Sequence, residues 1–357
     1  MRKRWIIFMI LCLLPSHVFA ITVSSQSACL MDMDSGRVLF AKSKDEPRLI
    51  ASITKIMTAI LAIESGRLDE EVTVGEEVLK MYGSNIYIEL GEKMTLKDLV
   101  YGLMLRSGND AAIVISVFVG GTEERFVEMM NEKARLIGMK NTVFKNPHGL
   151  DEETENKSSA YDMALLSSYA SKNKTYRDIV GTKKYQVQSD RKSYLWYNRN
   201  KLLTSYDKAT GGKTGYTPRA GRTLVTTASN KKLNLTAVTL NDGNEYDTHE
   251  RLYEYAFQNY QNYQILNKKK FKIDNAYYPD QVYIKENFVY PLTEEEKEQI
   301  RVEVKLTKLN QYQNNDEVGV VLVKLGSETI HEQKVYVTKE KKSTSWWKKI
   351  WSFFCGK

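Results

Sequence analysis

Histidine and cysteine are scarce in this chain of 357 residues, with four of the first and three of the second. Cys12 sits in an apolar N-terminal run, Cys29 in an apparent strand and Cys355 near the end, a spacing that suits neither a disulfide framework nor a metal site. No H-E-x-x-H is present, which disfavours the zinc peptidases, and no G-x-S-x-G supports a serine–histidine hydrolase. Beyond the N-terminal segment only His148, His249 and His331 remain, and they read as ordinary surface or loop residues. A serine–histidine arrangement stays open but unsupported, and the scarcity of histidine directs attention to another base. The apolar run Trp5–Leu14 has ten residues, well short of the ~20 that span a bilayer. No internal repeat or low-complexity segment stands out.

Unbalanced charge is also missing from the middle of the chain. The net charge is +8, of which Arg2, Lys3 and Arg4 supply +3 and six lysines against Glu340 in residues 339–357 supply +5. Residues 21–338 are therefore neutral overall, which argues against nucleic acid and points to a membrane surface. Residues 1–20 have a basic start, an apolar run, Pro15, and Val18 and Ala20 before a cut, the pattern of a signal peptide. In the tail, Trp346, Trp347, Ile350, Trp351, Phe353 and Phe354 share one arc of a helical wheel, with Lys348 and Lys349 outside it. Residues 339–357 thus read as an amphipathic helix lying on lipid, and the chain as an exported protein at the outer face of the cytoplasmic membrane.

What is present has the composition of a globular protein, 42% hydrophobic and 27% charged. "SACLMDMDSGRVLFAKS" reads as two strands around a turn at Asp34-Ser35-Gly36. Two apolar helical segments are interrupted at Ser107-Gly108-Asn109, and a third helix runs between a Thr122 cap and a Gly138 stop. "TLVTTAS" and "LNLTAVTL" read as paired strands, and "THERLYEYAFQNYQNYQIL" as helical. Strands at both ends with helices between predict an antiparallel sheet of distant strands covered by helices. Residues 267–338 read as a smaller, β-rich domain.

The stretch "LIASITKIMTAILAIESG", residues 49–66, reads as a helix with Ser52 at the N-cap and Lys55 one turn on. A serine hydroxyl becomes a nucleophile when a base takes its proton. Lysine can be that base if burial and a second cation keep its amine neutral. Ser-x-x-Lys alone is weak evidence. Ser107-Gly108-Asn109 adds a hydroxyl and an amide at a helix break, and Lys213-Thr214-Gly215, at the start of an apparent strand, adds the second cation and a close backbone approach.

Ser52-x-x-Lys55, Ser107-x-Asn109 and Lys213-Thr214-Gly215 resemble the three motifs of the penicillin-recognising serine acyltransferases. With "KNPHGLD" and "GGKTGYT", the chain resembles the low-molecular-mass penicillin-binding proteins that act as serine-type D-alanyl-D-alanine carboxypeptidases. The resemblance implies a serine β-lactamase/DD-peptidase-like α+β domain over residues 21–266, then the small all-β domain and the amphipathic helix. It implies peptidoglycan pentapeptide stems as substrate, acylation by β-lactam antibiotics, and neither metal nor organic cofactor. Ser52 would be the nucleophile, Lys55 the general base and Ser107 a proton relay. Asn109, Lys213, Thr214 and Gly215 would bind substrate, and the backbone N–H groups of Ser52 and Tyr216 would hold the oxyanion. Tyr216 departs from relatives with histidine there, but only its backbone is needed.

Three alternatives stay open at this point. A class A-like β-lactamase would carry Ser-Asp-Asn and a glutamate loop, whereas this chain has Gly108 and a loop, "HGLDEETENKSSA", that reads as solvated. A non-catalytic β-lactam or wall-binding module would bind without chemistry. Endopeptidase action on cross-links shares the same chemistry.

Overall fold

The computed structural model describes residues 21–230, 232–278 and 281–338. The expected signal peptide and amphipathic tail lie outside the described residues. Five antiparallel strands form the central sheet, in the order Val38–Lys42 (β2), Ser27–Asp32 (β1), Asn234–Leu240, Gly221–Ser229 and Ala209–Thr217. The first strand of the chain therefore pairs with one that arrives some two hundred residues later, Ser27 opposite Leu240.

Alternating side chains give the sheet two apolar faces. Cys29, Met31, Val225 and Val238 face a helical layer, while Leu30, Leu235 and Ala237 face Leu252, Tyr253 and Ala256 of the helix Glu245–Asn259. The helical layer is built around Lys55–Glu64 (α1), in which every residue from Lys55 to Ile63 is buried. A helix apolar on all sides belongs in the interior. Around it lie Leu96–Arg106 (α2), Asn109–Gly120 (α3), Glu123–Ile137 (α4) and Ala160–Ala170 (α5). Helix α4 has the ends its sequence predicts. Thr122 accepts from Arg125 N at 3.1 Å, and Gly138 leaves the helix at φ +90°.

Three local expectations change. Ser52 is not an N-cap: it lies inside a 3₁₀ turn, Ala51–Thr54, and the α-helix begins at Lys55. Lys213 sits in the middle of its strand, not at its start. The helix after Asn244 stops at Asn259, and Gln261–Leu266 is a strand paired with Phe288–Leu292. Pairing with that distant strand, and not the segment's own composition, makes the chain extended here.

Beyond it, the strands Val282–Tyr283, Glu328–Val337, Glu317–Leu325 and Ile300–Leu306 form a four-stranded sheet, in that order, with its own apolar cluster. Arg37, next to β2, reaches across to this part of the chain. It donates to Glu296 Oε2 at 2.9 Å, to Glu296 Oε1 and to the carbonyl of Pro291, between the rings of Tyr260 and Tyr290.

Candidate active site

The turn that carries Ser52 is clamped from three directions. Thr223 Oγ1 donates to Ile50 O at 3.0 Å, and Thr58 Oγ1, on α1, to Pro147 O at 2.6 Å. A Cβ on Gly215 would lie 2.9 Å from Ser52 N, and one on Gly149 would lie 2.0 Å from Ala51 O. Only glycine lets the strand and the 146–156 loop close on the turn this tightly. Ala51 is held at φ +48° while buried, a left-handed conformation that costs an alanine about 1–3 kcal/mol. That strain sets the direction of the next residue, Ser52.

Lys55 is fully buried, and its Nζ lies 2.9 Å from Ser52 Oγ, 2.7 Å from Asn109 Oδ1 and 2.5 Å from His148 O. Asn109 is fixed by its other end, where Nδ2 donates to Tyr82 O at 2.7 Å. Burial first, and then the charge of Lys213, hold the Lys55 amine well below the usual lysine range, with Arg199 acting in the same direction and Asp110 against it. A neutral amine has two N–H bonds and one lone pair. Asn109 Oδ1 and His148 O take the two N–H bonds, and the lone pair is left for the Ser52 hydroxyl.

Ser107 lies between α2 and α3 at φ +68°. Its Oγ accepts from Lys213 Nζ at 3.0 Å, and Lys213 also donates to Thr214 O at 2.6 Å. Burial, with Arg199 second, lowers Lys213 to about 7. Lys55 and Lys213 thus share a water-poor site in which each proton disfavours the other. Ser52, Ser107, Thr214, Gly215 and Tyr216 line a cleft of about 280 Å³, together with Arg199 and Arg222. Lys213 stands behind this surface, reaching it through Ser107 and Thr214.

All the residues singled out from the three motifs come together here. Several neighbours carried no sequence signal. Arg199, in "YNRNKLL", donates to Ser84 Oγ at 2.9 Å across the cleft. Asp110 accepts from the backbone N–H of Ile86 (3.0 Å) and Tyr87 (2.7 Å), tying the 84–88 loop to the start of α3. The expectation of surface histidines is corrected at two positions. His148 is 8% exposed and gives its carbonyl to Lys55, while His249 is fully buried between Thr226 and Thr239. Burial holds both imidazoles neutral, at about 3.

The sequence profile of the D-alanyl-D-alanine carboxypeptidases, peptidase family S11, matches residues 15–244. The chain belongs to this family. Among its D-alanyl-D-alanine carboxypeptidase relatives, DacF of Bacillus subtilis is 37% identical over 257 residues, covering 69% of this chain and 65% of that one. The match thus spans just under two thirds of that relative. DacD of Escherichia coli is 33% identical over 282 residues, covering 72% of this chain and 70% of its own. Among solved structures, penicillin-binding protein 5 of Haemophilus influenzae superposes with a TM-score of 0.77 at 26% identity, covering 90% of this chain and 99% of that one.

Proposed function

We propose that the chain is a serine-type D-alanyl-D-alanine carboxypeptidase that removes the terminal D-alanine from peptidoglycan stem peptides through an acyl-enzyme on Ser52. The observation that carries this reading is the buried Lys55 amine, 2.9 Å from Ser52 Oγ with both N–H bonds engaged elsewhere. Ser52 Oγ attacks the penultimate carbonyl and passes its proton to Lys55. The backbone N–H groups of Ser52 and Tyr216 receive the oxyanion. Ser107 relays a proton to the leaving D-alanine nitrogen. Thr214 meets the terminal carboxylate, with Lys213 behind it as the charge, and Gly215 lets the substrate lie against the strand. Asn109 has one N–H unspent after Tyr82, which suits a substrate carbonyl. Water then hydrolyses the acyl-enzyme.

The β-lactamase alternative is less favoured by the 146–156 loop. It offers Lys55 a carbonyl, while Asp151 accepts from Thr217 Oγ1 at 2.6 Å and Glu155 pairs with Lys157 and Arg219. A penicilloyl adduct on Ser52 should therefore be long-lived, and turnover of penicillin in seconds would reverse the choice. D-alanine release from a diacetyl-Lys-D-Ala-D-Ala peptide tests the main reading. Wild type should release it and Ser52→Ala should not, whereas negligible release from both would favour a binding module. Products from cross-linked muropeptides separate carboxypeptidase from endopeptidase action.

The same proposal places the protein outside the cytoplasmic membrane, held by the tail. No helix among the described residues is long and apolar enough to cross a membrane. Deleting residues 341–357 should release the protein from membranes and leave peptide hydrolysis intact. A spore-associated role is a further proposal carried by sequence likeness alone, and the time of expression in an endospore-forming cell tests it.

A further inference from the structure

The four-stranded sheet of the β-rich part ends on two unlike edges. Val282–Tyr283, on one side, is two residues long, and Ile300–Leu306, on the other, is seven. A very short strand offers little backbone to a neighbour, which is one way that sheets blunt an edge. Ile300–Leu306 is not blunted in this way. Its register with Glu317–Leu325 sets Val302 opposite Val323 and Val304 opposite Val321. Even-numbered residues therefore face the apolar cluster, and Arg301, Glu303 and Lys305 face away from it.

The backbone groups alternate as well. Thr307 N donates to Val318 O at 2.8 Å and Gly326 N to Gln299 O at 3.3 Å, both in that register. Odd-numbered residues thus spend their N–H and C=O on the neighbouring strand, and those of Ile300, Val302, Val304 and Leu306 point to the outer edge. No described residue pairs with that edge. The apolar row along it is uncovered too. Val321, Val323, Val335 and Val337 are fully buried, whereas Ile300, Val304 and Leu306 are only partly buried and Val302 is 45% exposed. One more strand would complete the ladder and close the core together.

We infer that this strand is supplied by the same edge of a second copy of the chain, running antiparallel and centred on Val304, so that two four-stranded sheets join across a two-fold axis. Charge selects the occupant and the register. Centred on Val304, Glu303 lies opposite the partner's Lys305 and Lys305 opposite the partner's Glu303, while Val302 packs on the partner's Leu306. Glu303 also accepts from Lys324 Nζ at 2.7 Å, which holds its carboxylate in place. Centring on Glu303 would set that carboxylate against its own copy and Arg301 against Lys305, and like charges directly opposite are unfavourable. Centring on Val302 would set Leu306 against Glu298, where the helix Glu294–Lys297 ends and the strand has not begun. One strand pair is a small contact, so the dimer is weak and depends on concentration.

Sedimentation velocity of the full chain over a concentration series tests the pairing. Wild type should form a dimer. Glu303→Lys and Lys305→Glu each place like charges opposite one another twice, and each should raise the dissociation constant by about tenfold or more. Mixed in equal amounts, the two variants should dimerise as wild type does, because the substituted positions then meet with opposite charge. That recovery also shows both variants to be folded. A wild type that stays monomeric throughout the series overturns the inference. So does a dimer that neither substitution weakens, as contact through the tail would give, or a pair of variants that does not recover on mixing.

Discussion

Asn109 holds Lys55 at 2.7 Å through its side-chain oxygen while its nitrogen is tied to Tyr82 O. Being a neutral acceptor, Asn109 lets burial and the charge of Lys213 keep the amine uncharged, which a carboxylate in its place would oppose. Asn109→Asp is nearly isosteric and places a negative charge beside Nζ, which favours the ammonium form. Acylation of Ser52 by penicillin at pH 7 should slow about 100-fold or more, in the range general-base removal gives. The rate should recover as pH rises. Stopped-flow acylation across pH checks this, and a variant as fast as wild type at pH 7 contradicts it.

Burial, with Arg199 second, pushes Lys213 down to about 7 in the folded chain, against about 10.4 for an ordinary lysine. Two consequences have opposite signs. For catalysis the ammonium is the useful form, so kcat/KM for carboxylate-bearing substrates should fall as pH rises above about 7. For stability, the unfolded chain binds this proton more tightly. The contribution of Lys213 to stability therefore rises with pH from about 7 to the unfolded value and is flat below. Denaturant unfolding of Lys213→Met, compared with wild type, should lack that rise.

Gly215 tests the close approach of strand and nucleophile. In Gly215→Ala the new Cβ would fall 2.4 Å from Thr223 Oγ1 and 2.9 Å from Ser52 N. Overpacking of this kind costs about 1–3 kcal/mol, and a displacement of the hydroxyl by ~1 Å costs about 100-fold in rate. Thermal unfolding and the acylation rate should both move. A variant of wild-type rate would show that the strand does not set the position of Ser52.

Arg37 should join the central sheet to the strand Phe288–Leu292 and the turn that follows it without touching the chemistry. Its side chain is 13% exposed and pairs with Glu296, which is 25% exposed. Arg37→Ala strands that carboxylate and the Pro291 carbonyl, a loss of about 1–3 kcal/mol. Limited proteolysis near Gln261–Leu266 should quicken while hydrolysis of small peptides is unchanged.

Much of this fold is written in local pattern. The Thr122 cap, the Gly138 stop, the helix break at Ser107 and the β-branched strands all act through neighbours in sequence, and each is found where it is expected. The helix-to-strand change at Gln261 was not legible, because its partner Phe288–Leu292 is distant and pairing overrides local propensity there. Local pattern predicts a cap at Ser52, and the turn found there departs from it for a similar reason. Its left-handed Ala51 is imposed by Thr223, Gly149 and Gly215, which arrive from far along the chain. The motif residues announced themselves by spacing. Arg199 and His148 did not, since their roles depend on which loops meet over Lys55.

The charge state of one amine tests the account most directly. Lysine labelled with ¹³C at Cε and ¹⁵N at Nζ, with the Lys55 signal assigned through Lys55→Arg, reports that state in the resting enzyme. The account predicts neutral-amine shifts for Lys55 at pH 7, because burial and Lys213 hold it well below the usual lysine range. An ammonium signal persisting through pH 9 would contradict it.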